Sequence, residues 1–544
     1  MLNRLNMWWL VFAVVCVGVC QGQERLDPLV QTSLGLVRGQ RAEDGDYYMF
    51  LGIPYGKVDE NNPFGVASPH PIYEDIFDAN DDSAICPQVS AGAAVGTLDC
   101  LRVNVFVPTT ATSQNKLPVL VYIYGGSYQT GYGSRHQYGP KYLIPHDVIV
   151  VHINYRLGPY GFLCLGIPEV PGNQGIKDQL IALRWIKENI DSFGGDSAKI
   201  TIMGESAGAG SVELHLLSKQ EKLYSKAILH SGTTLKPKGV YDTDETPALQ
   251  MADKLGYPTQ DVYEAVDFLS QVDINLVIGA YSALGFTLRA CVEKPMDGIE
   301  SIITEYPVNL NVPKVKGMPI LVGYNNREAL RTDKSNPSDY FKSPTYFRDI
   351  LALCFNVDDD FEEFVDMVRS FYIGDEELTE EVRPNIIDFE TDYHFNFPVE
   401  RAIEKYLQSE PENLFQYLFS YEGGRNVMKN LLNITQKGVA HADELGYLFE
   451  MSAHESTPTE ADQLMIDRMT TLWTNFVKYG DPTPQTTELL PIKWLPGTNA
   501  TANYLDMDSV LTMKKKPFKE RLTFLKLFFK TNHNRLIGLN TNYN

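Results

Sequence analysis

Apolar residues along this chain fall into two alternating patterns. Short runs, often β-branched, occur at Val119 to Tyr124, Val148 to Ile153, Ile200 to Met203, Ala227 to His230, Ile320 to Val322 and Leu414 to Phe419. Runs of that length and composition suit strands buried on both faces of a parallel sheet. Between them, Ile176 to Ile190 and Ala461 to Tyr479 space their apolar residues at helical intervals and stop near Gly194-Gly195 and Gly480-Asp-Pro482. Alternation of the two predicts an α/β protein: a mostly parallel central β-sheet covered by helices on both faces. Lys514 to Lys530 mixes Lys and Arg with Leu and Phe and reads as a docked surface helix.

The N-terminus breaks the pattern. Arg4 precedes a continuous apolar run from Met7 to Val19, which Gln21, Gln23, Glu24 and Arg25 end, with Cys20 and Gly22 at −3 and −1 of a cut before Gln23. That run is shorter than the roughly 20 residues needed to span a bilayer and has the layout of a secretory signal peptide. Residues 1–22 are therefore expected to be removed, leaving residues 23–544 as a single exported domain. No later stretch is long and apolar enough to cross a membrane, and Thr541-Asn-Tyr-Asn544 carries no retention or lipidation signal.

Composition narrows the function. The 544 residues hold 69 Asp+Glu against 47 Lys+Arg, a net charge of −22 that becomes −23 when Arg4 leaves with the signal. Such a surface lacks the basic stripe a nucleic-acid binder presents to phosphates. Five of seven cysteines remain in the mature chain, and Cys86 and Cys100, the nearest pair, are a candidate disulfide for an oxidising compartment. Cys164, Cys291 and Cys354 are far apart, so at least one thiol stays free or pairs with another chain. No CxxC or HxxxH spacing suggests zinc. Asn433-Ile-Thr435 and Asn499-Ala-Thr501 are glycosylation acceptors.

The chemistry starts at Gly204-Glu-Ser-Ala-Gly208. Glycines two positions either side of Ser206 allow a sharp strand-to-helix turn that lifts the hydroxyl above the sheet. Alone the pattern is weak, with on the order of 0.2 chance matches in a chain this long. Here an apolar strand precedes it and a helical stretch, Ala207 to Leu217, follows, which is the context a nucleophile elbow requires. Gly125-Gly-Ser-Tyr128 directly follows the strand Val119 to Tyr124, where glycines let backbone N–H groups approach a substrate carbonyl.

These residues carry a resemblance. Phe50-Leu-Gly-Ile-Pro-Tyr55, Asp99-Cys-Leu-Arg-Val-Asn104, Asn154-Tyr-Arg-Leu-Gly158 and the block from Pro171-Gly-Asn-Gln-Gly175 through Phe193-Gly-Gly-Asp196 to Gly208 are similar to the type-B carboxylesterase and cholinesterase family of α/β-hydrolases, most of all to insect secreted carboxylesterases. By that resemblance the acid is Glu328 of Gly323-Tyr-Asn-Asn-Arg-Glu328 and the base is His441 of His441-Ala-Asp-Glu-Leu445. The other nine histidines read as helix-start or core residues. Ser206, Glu328 and His441 follow the chain order of the α/β-hydrolase triad. The resemblance implies a serine ester hydrolase: Ser206 attacks the carbonyl, His441 takes its proton, Glu328 orients the imidazole, and an acyl-enzyme is released by water. Oxyanion donors correspond to Gly126, Ser127 and Ala207, and no metal or organic cofactor is implied.

Departures from the family qualify the substrate. Ser127 stands where Gly or Ala is usual and narrows the pocket. The Cys86 to Cys100 loop has no tryptophan to hold a choline cation. Glu205 replaces the Gln of juvenile hormone esterases, demoting that substrate. Leu98-Asp99 replaces the usual Glu-Asp, so one familial salt bridge is expected to be absent, and Cys291 lacks a near partner for a second familial disulfide. A slow-turnover sequestering esterase or a juvenile-hormone-type esterase are the alternatives; a non-catalytic adhesion protein is disfavoured because the triad is complete.

Overall fold

The computed structural model describes residues 27–331, 340–454 and 456–537. The proposed signal segment, residues 1–22, lies outside them. Eleven strands form the central sheet: β1 (Gln40–Arg41), β2 (Tyr47–Pro54), β3 (Arg102–Pro108), β4 (Leu117–Ile123), β5 (Ile149–Ile153), β6 (Gly195–Glu205), β7 (Lys226–His230), β8 (Ile320–Asn325), β9 (Leu414–Phe419), β10 (Asn503–Met507) and β11 (Thr512–Lys515). Their order across the sheet is β11-β10-β9-β8-β7-β6-β4-β5-β3-β2-β1. The strands from β5 to β10 run parallel, and the antiparallel pairings are confined to the two ends.

Every residue of β5, β7, β8 and β9 is buried. Successive side chains in a strand point to opposite faces, so complete burial requires cover on both. Helices α1 (Gln174–Asn189), α2 (Ala207–Leu217), α3 (Phe397–Gln408) and α4 (Glu460–Tyr479) contribute to it, and α5 (Lys519–Thr531) packs on α3. Helix α4 starts with a capping box, the Thr459 hydroxyl accepting from the Asp462 N–H, and stops at Gly480 with φ 72°. No helix among the described residues is long and apolar enough to cross a membrane.

Two expectations about sulfur meet different outcomes. Cys86 and Cys100 are joined. Cys291 does have a partner: it is bonded to Cys164, 127 residues away, which corrects the expectation that a second bridge is missing. The cause is the Asn173 side chain, which accepts from the Cys291 N–H at 2.8 Å and donates to its carbonyl at 2.9 Å, docking that segment beside Cys164. Cys354 keeps a free thiol. Arg102 still pairs with Asp99, the acidic residue retained beside Leu98. Both sequon residues, Asn433 and Asn499, are exposed.

His152 on β5 is a core histidine, ringed by Phe106, Tyr122, Tyr138 and Phe449, with neither ring nitrogen hydrogen-bonded. Burial pushes its pKa down to about 3. Below about pH 6.5 the unfolded chain binds a proton that the folded chain refuses, so stability is lost as pH falls, by up to about tenfold in the folding constant per pH unit. Asp392 and Glu400, both raised to about 7 by burial, oppose this slope. His152→Phe should therefore lower the pH dependence of the urea midpoint between pH 6.5 and 4.5 by one proton; an unchanged slope would refute the assignment.

Candidate active site

Strand β6 enters the sheet through fully buried Ile202 and Met203 and turns into α2 at Ser206, whose backbone sits at φ 56°, ψ −119°. A non-glycine residue there is strained, by about 1–3 kcal/mol. The turn persists because its surroundings hold it: the Ser206 N–H donates to the His230 carbonyl at 2.8 Å, and the Gly210 N–H to the Ser206 carbonyl at 3.0 Å. A Cβ on Gly208 would fall 2.0 Å from the Ile123 carbonyl oxygen, so only glycine lets α2 start this close to β4.

Residues Gly125 to Tyr128 leave the end of β4 and lie against the elbow; a Cβ on Gly125 would sit 3.0 Å from that of Ser206. Gly126 has φ 109°, and Ser127 and Tyr128 follow at 57° and 62°. Three consecutive left-handed residues give the loop its sharp course, closed by the Gln129 and Thr130 N–H groups donating to the Gly126 carbonyl. Ala207, the first residue of α2, directly follows Ser206.

Glu328 follows β8, is fully buried and has both oxygens engaged. Oε1 accepts from the Ser231 hydroxyl and the Asn325 N–H, each at 2.6 Å, and Oε2 lies 2.7 Å from His441 Nδ1. The His441 N–H also donates to the Glu328 carbonyl at 3.2 Å. With the carboxylate accepting at Nδ1, the neutral imidazole carries its proton there and presents Nε2 as the base. Nε2 lies 3.1 Å from Glu205 Oε1, in the residue immediately before Ser206. The Phe395 ring packs on His441 at 4.7 Å.

A buried relay behind the pair was not identified from sequence. Trp473 Nε1–H donates to His230 Nε2 at 2.8 Å, so His230 holds its own proton on Nδ1 and gives it to Glu444 Oε1 at 3.1 Å. Glu444 Oε2 accepts from Asn325 Nδ2 at 2.6 Å, linking this chain to Glu328. Burial works to raise the Glu444 pKa, yet its hydrogen bonds to His230 and Asn325 prevail and hold it below the usual value. Asn325 and Glu444 both lie inside the motifs quoted for Glu328 and His441, which is the signal that would have found them; Ser231, just past β7, left none.

Known proteins match the chain over most of its length. The carboxylesterase family model covers residues 26–525. The chain belongs to the carboxylesterase family. It is accordingly a carboxylic ester hydrolase. Relatives of this family member include juvenile hormone esterase of Heliothis virescens, 28% identical over 91% of this chain and 92% of that protein. Bile salt-activated lipase of Rattus norvegicus is 30% identical over 92% and 83%. The crystal structure of juvenile hormone esterase from Manduca sexta with OTFP covalently attached superposes with a TM-score of 0.82 at 27% identity, covering 93% of this chain and 100% of that one. The α/β-hydrolase fold that the resemblance implied is thus the observed one.

Proposed function

We propose that this carboxylesterase is a secreted enzyme that cleaves small-molecule esters with Ser206 as nucleophile, His441 as general base and Glu328 as the residue that orients and stabilises the imidazole. The observation that carries the reading is the buried 2.7 Å hydrogen bond between Glu328 Oε2 and His441 Nδ1, with the other imidazole nitrogen 3.1 Å from Glu205, the residue before Ser206. His441 takes the Ser206 proton as the hydroxyl attacks the ester carbonyl. Backbone N–H groups of Gly126, Ser127 and Ala207 receive the oxyanion, each donor contributing roughly 100- to 1000-fold in rate. The alcohol departs with the proton, and water activated by His441 then frees the acid. Glu205 adds negative charge beside the imidazolium that both steps create. That a solved relative carries OTFP covalently attached supports covalent chemistry in this family.

The test is stoichiometric labelling with an organophosphate followed by peptide mapping. One phosphoryl group on Ser206, with matching loss of p-nitrophenyl acetate hydrolysis, is expected; labelling elsewhere would refute the nucleophile. Pre-steady-state burst amplitude on the same substrate then separates a turning-over enzyme from a sequestering one, since only the latter shows a full burst with negligible steady rate. Juvenile hormone as substrate draws on the juvenile hormone esterases among its relatives. A kcat/KM panel of acyl and alcohol chain lengths decides among ester classes.

A further inference from the structure

Three cavities meet between α3, α5 and the segment around Val308, with volumes of about 830, 520 and 220 Å³. None of their lining residues belongs to the elbow, the oxyanion loop or the Glu328–His441 pair. Arg401 of α3 lines all three. Its guanidinium lies over the Phe529 ring at 5.5 Å and makes no hydrogen bond or ion pair with any described residue. Arg401 is half-buried, and partial burial works against its charge, so its pKa is lowered. A partly desolvated cation with no anion in contact is costly, and a guanidinium has five donors to satisfy.

Two of the carboxylates facing the space are already engaged, and Lys516, Lys519 and Lys530 add positive charge to the lining of the largest cavity. Glu404 is held by Lys526, while Glu400 accepts from the Tyr324 hydroxyl and the Gln416 amide. These two carboxylates would repel a multiply charged anion but leave Arg401 open to a single one. The largest cavity also has an apolar wall of Phe397, Leu407, Leu522 and Phe529. A planar guanidinium matches a carboxylate in two parallel hydrogen bonds, and the volume is in the range that encloses a small organic molecule. Carboxylic acids are, moreover, what ester hydrolysis releases.

We propose that this junction is a second binding site, separate from the ester-cleaving centre, for a long-chain carboxylate whose head group pairs with Arg401 and whose chain lies along Phe397, Leu522 and Phe529. The site does not depend on which serine performs the hydrolysis.

Titration calorimetry of the purified full chain with dodecanoate tests it. One dodecanoate per chain is expected, not displaced by p-nitrophenyl acetate and not matched by dodecan-1-ol. Arg401→Gln should weaken it about tenfold or more, with partial recovery in Arg401→Lys. Leu522→Trp, which fills the wall, should weaken it as well. Hydrolysis of p-nitrophenyl acetate should be unchanged in Arg401→Gln, and its melting temperature should equal or exceed that of the parent because an unpaired enclosed charge is gone. The proposal fails if dodecanoate does not bind, if Arg401→Gln binds it equally well, if p-nitrophenyl acetate displaces it, or if inorganic phosphate competes as well as a second fatty carboxylate does.

Discussion

Ser206→Ala should reduce kcat for ester hydrolysis by about a millionfold while leaving the chain folded, and Glu328→Gln by about ten-thousandfold. The two losses should not multiply. Once the nucleophile is gone, orienting the base has no purpose, so the double variant should be no slower than Ser206→Ala within a factor of a few. The Glu328 effect has a specific origin here. Its Oε1 is fixed by Ser231 and Asn325, so Oε2 is held at 2.7 Å from His441 Nδ1. An amide at 328 keeps the shape but can donate toward Nδ1, favouring the tautomer whose proton sits on Nε2 and blocks the base. Steady-state kinetics on p-nitrophenyl acetate, with circular dichroism to confirm folding, would measure both. Turnover within tenfold of the parent for Ser206→Ala would remove this residue from the mechanism.

Asp178→Ala should cost about 3–5 kcal/mol of stability, read from the urea midpoint. Arg156 and Asp178 are both wholly inaccessible to solvent and joined by two bonds, Nε to Oδ2 at 2.8 Å and Nη2 to Oδ1 at 2.7 Å. The remaining guanidinium donor group, Nη1, reaches the carbonyls of Pro63 and Gly65 at 3.0 and 2.8 Å. Arg156 therefore ties an N-terminal loop to α1 through one side chain. Truncating Asp178 strands a charge in the core, whereas Arg156→Met with Asp178→Leu removes both charges and should recover much of the loss. If the single variant loses less than about 1 kcal/mol, water must reach the guanidinium and the buried-pair account is wrong.

Much of the site was legible because its parts are local. Gly204 and Gly208 announce Ser206 through a steric requirement that acts within five residues, and the observed φ of 56° at Ser206 is that requirement met. Glu328 and His441 came from motif resemblance rather than geometry, and their mutual hydrogen bond was expected but could not be measured on a string. The Glu205 contact to Nε2 left no sequence signal beyond the residue type. Its partner lies 236 positions on, across the sheet.

The second disulfide shows the same limit. Cys291 was read as lacking a near partner, and the fate of Cys164 was left open, because nothing local relates them; the Asn173 amide that joins their segments acts across 118 residues. The short antiparallel strands at the sheet ends also escaped prediction, since they are partly polar edge elements whose pairing is set by neighbours rather than by their own pattern.

By itself, then, the sequence determined the succession of parallel strands, the elbow and the identity of the family, because strand burial, glycine sterics and contiguous motifs are encoded over a few residues. Tertiary structure alone decided that Glu205 also approaches His441, that Cys164 meets Cys291, and that Arg401 has no ion partner among the described residues at a cavity. Those outcomes depend on distances between segments hundreds of residues apart, and such distances exist only after the sheet has formed.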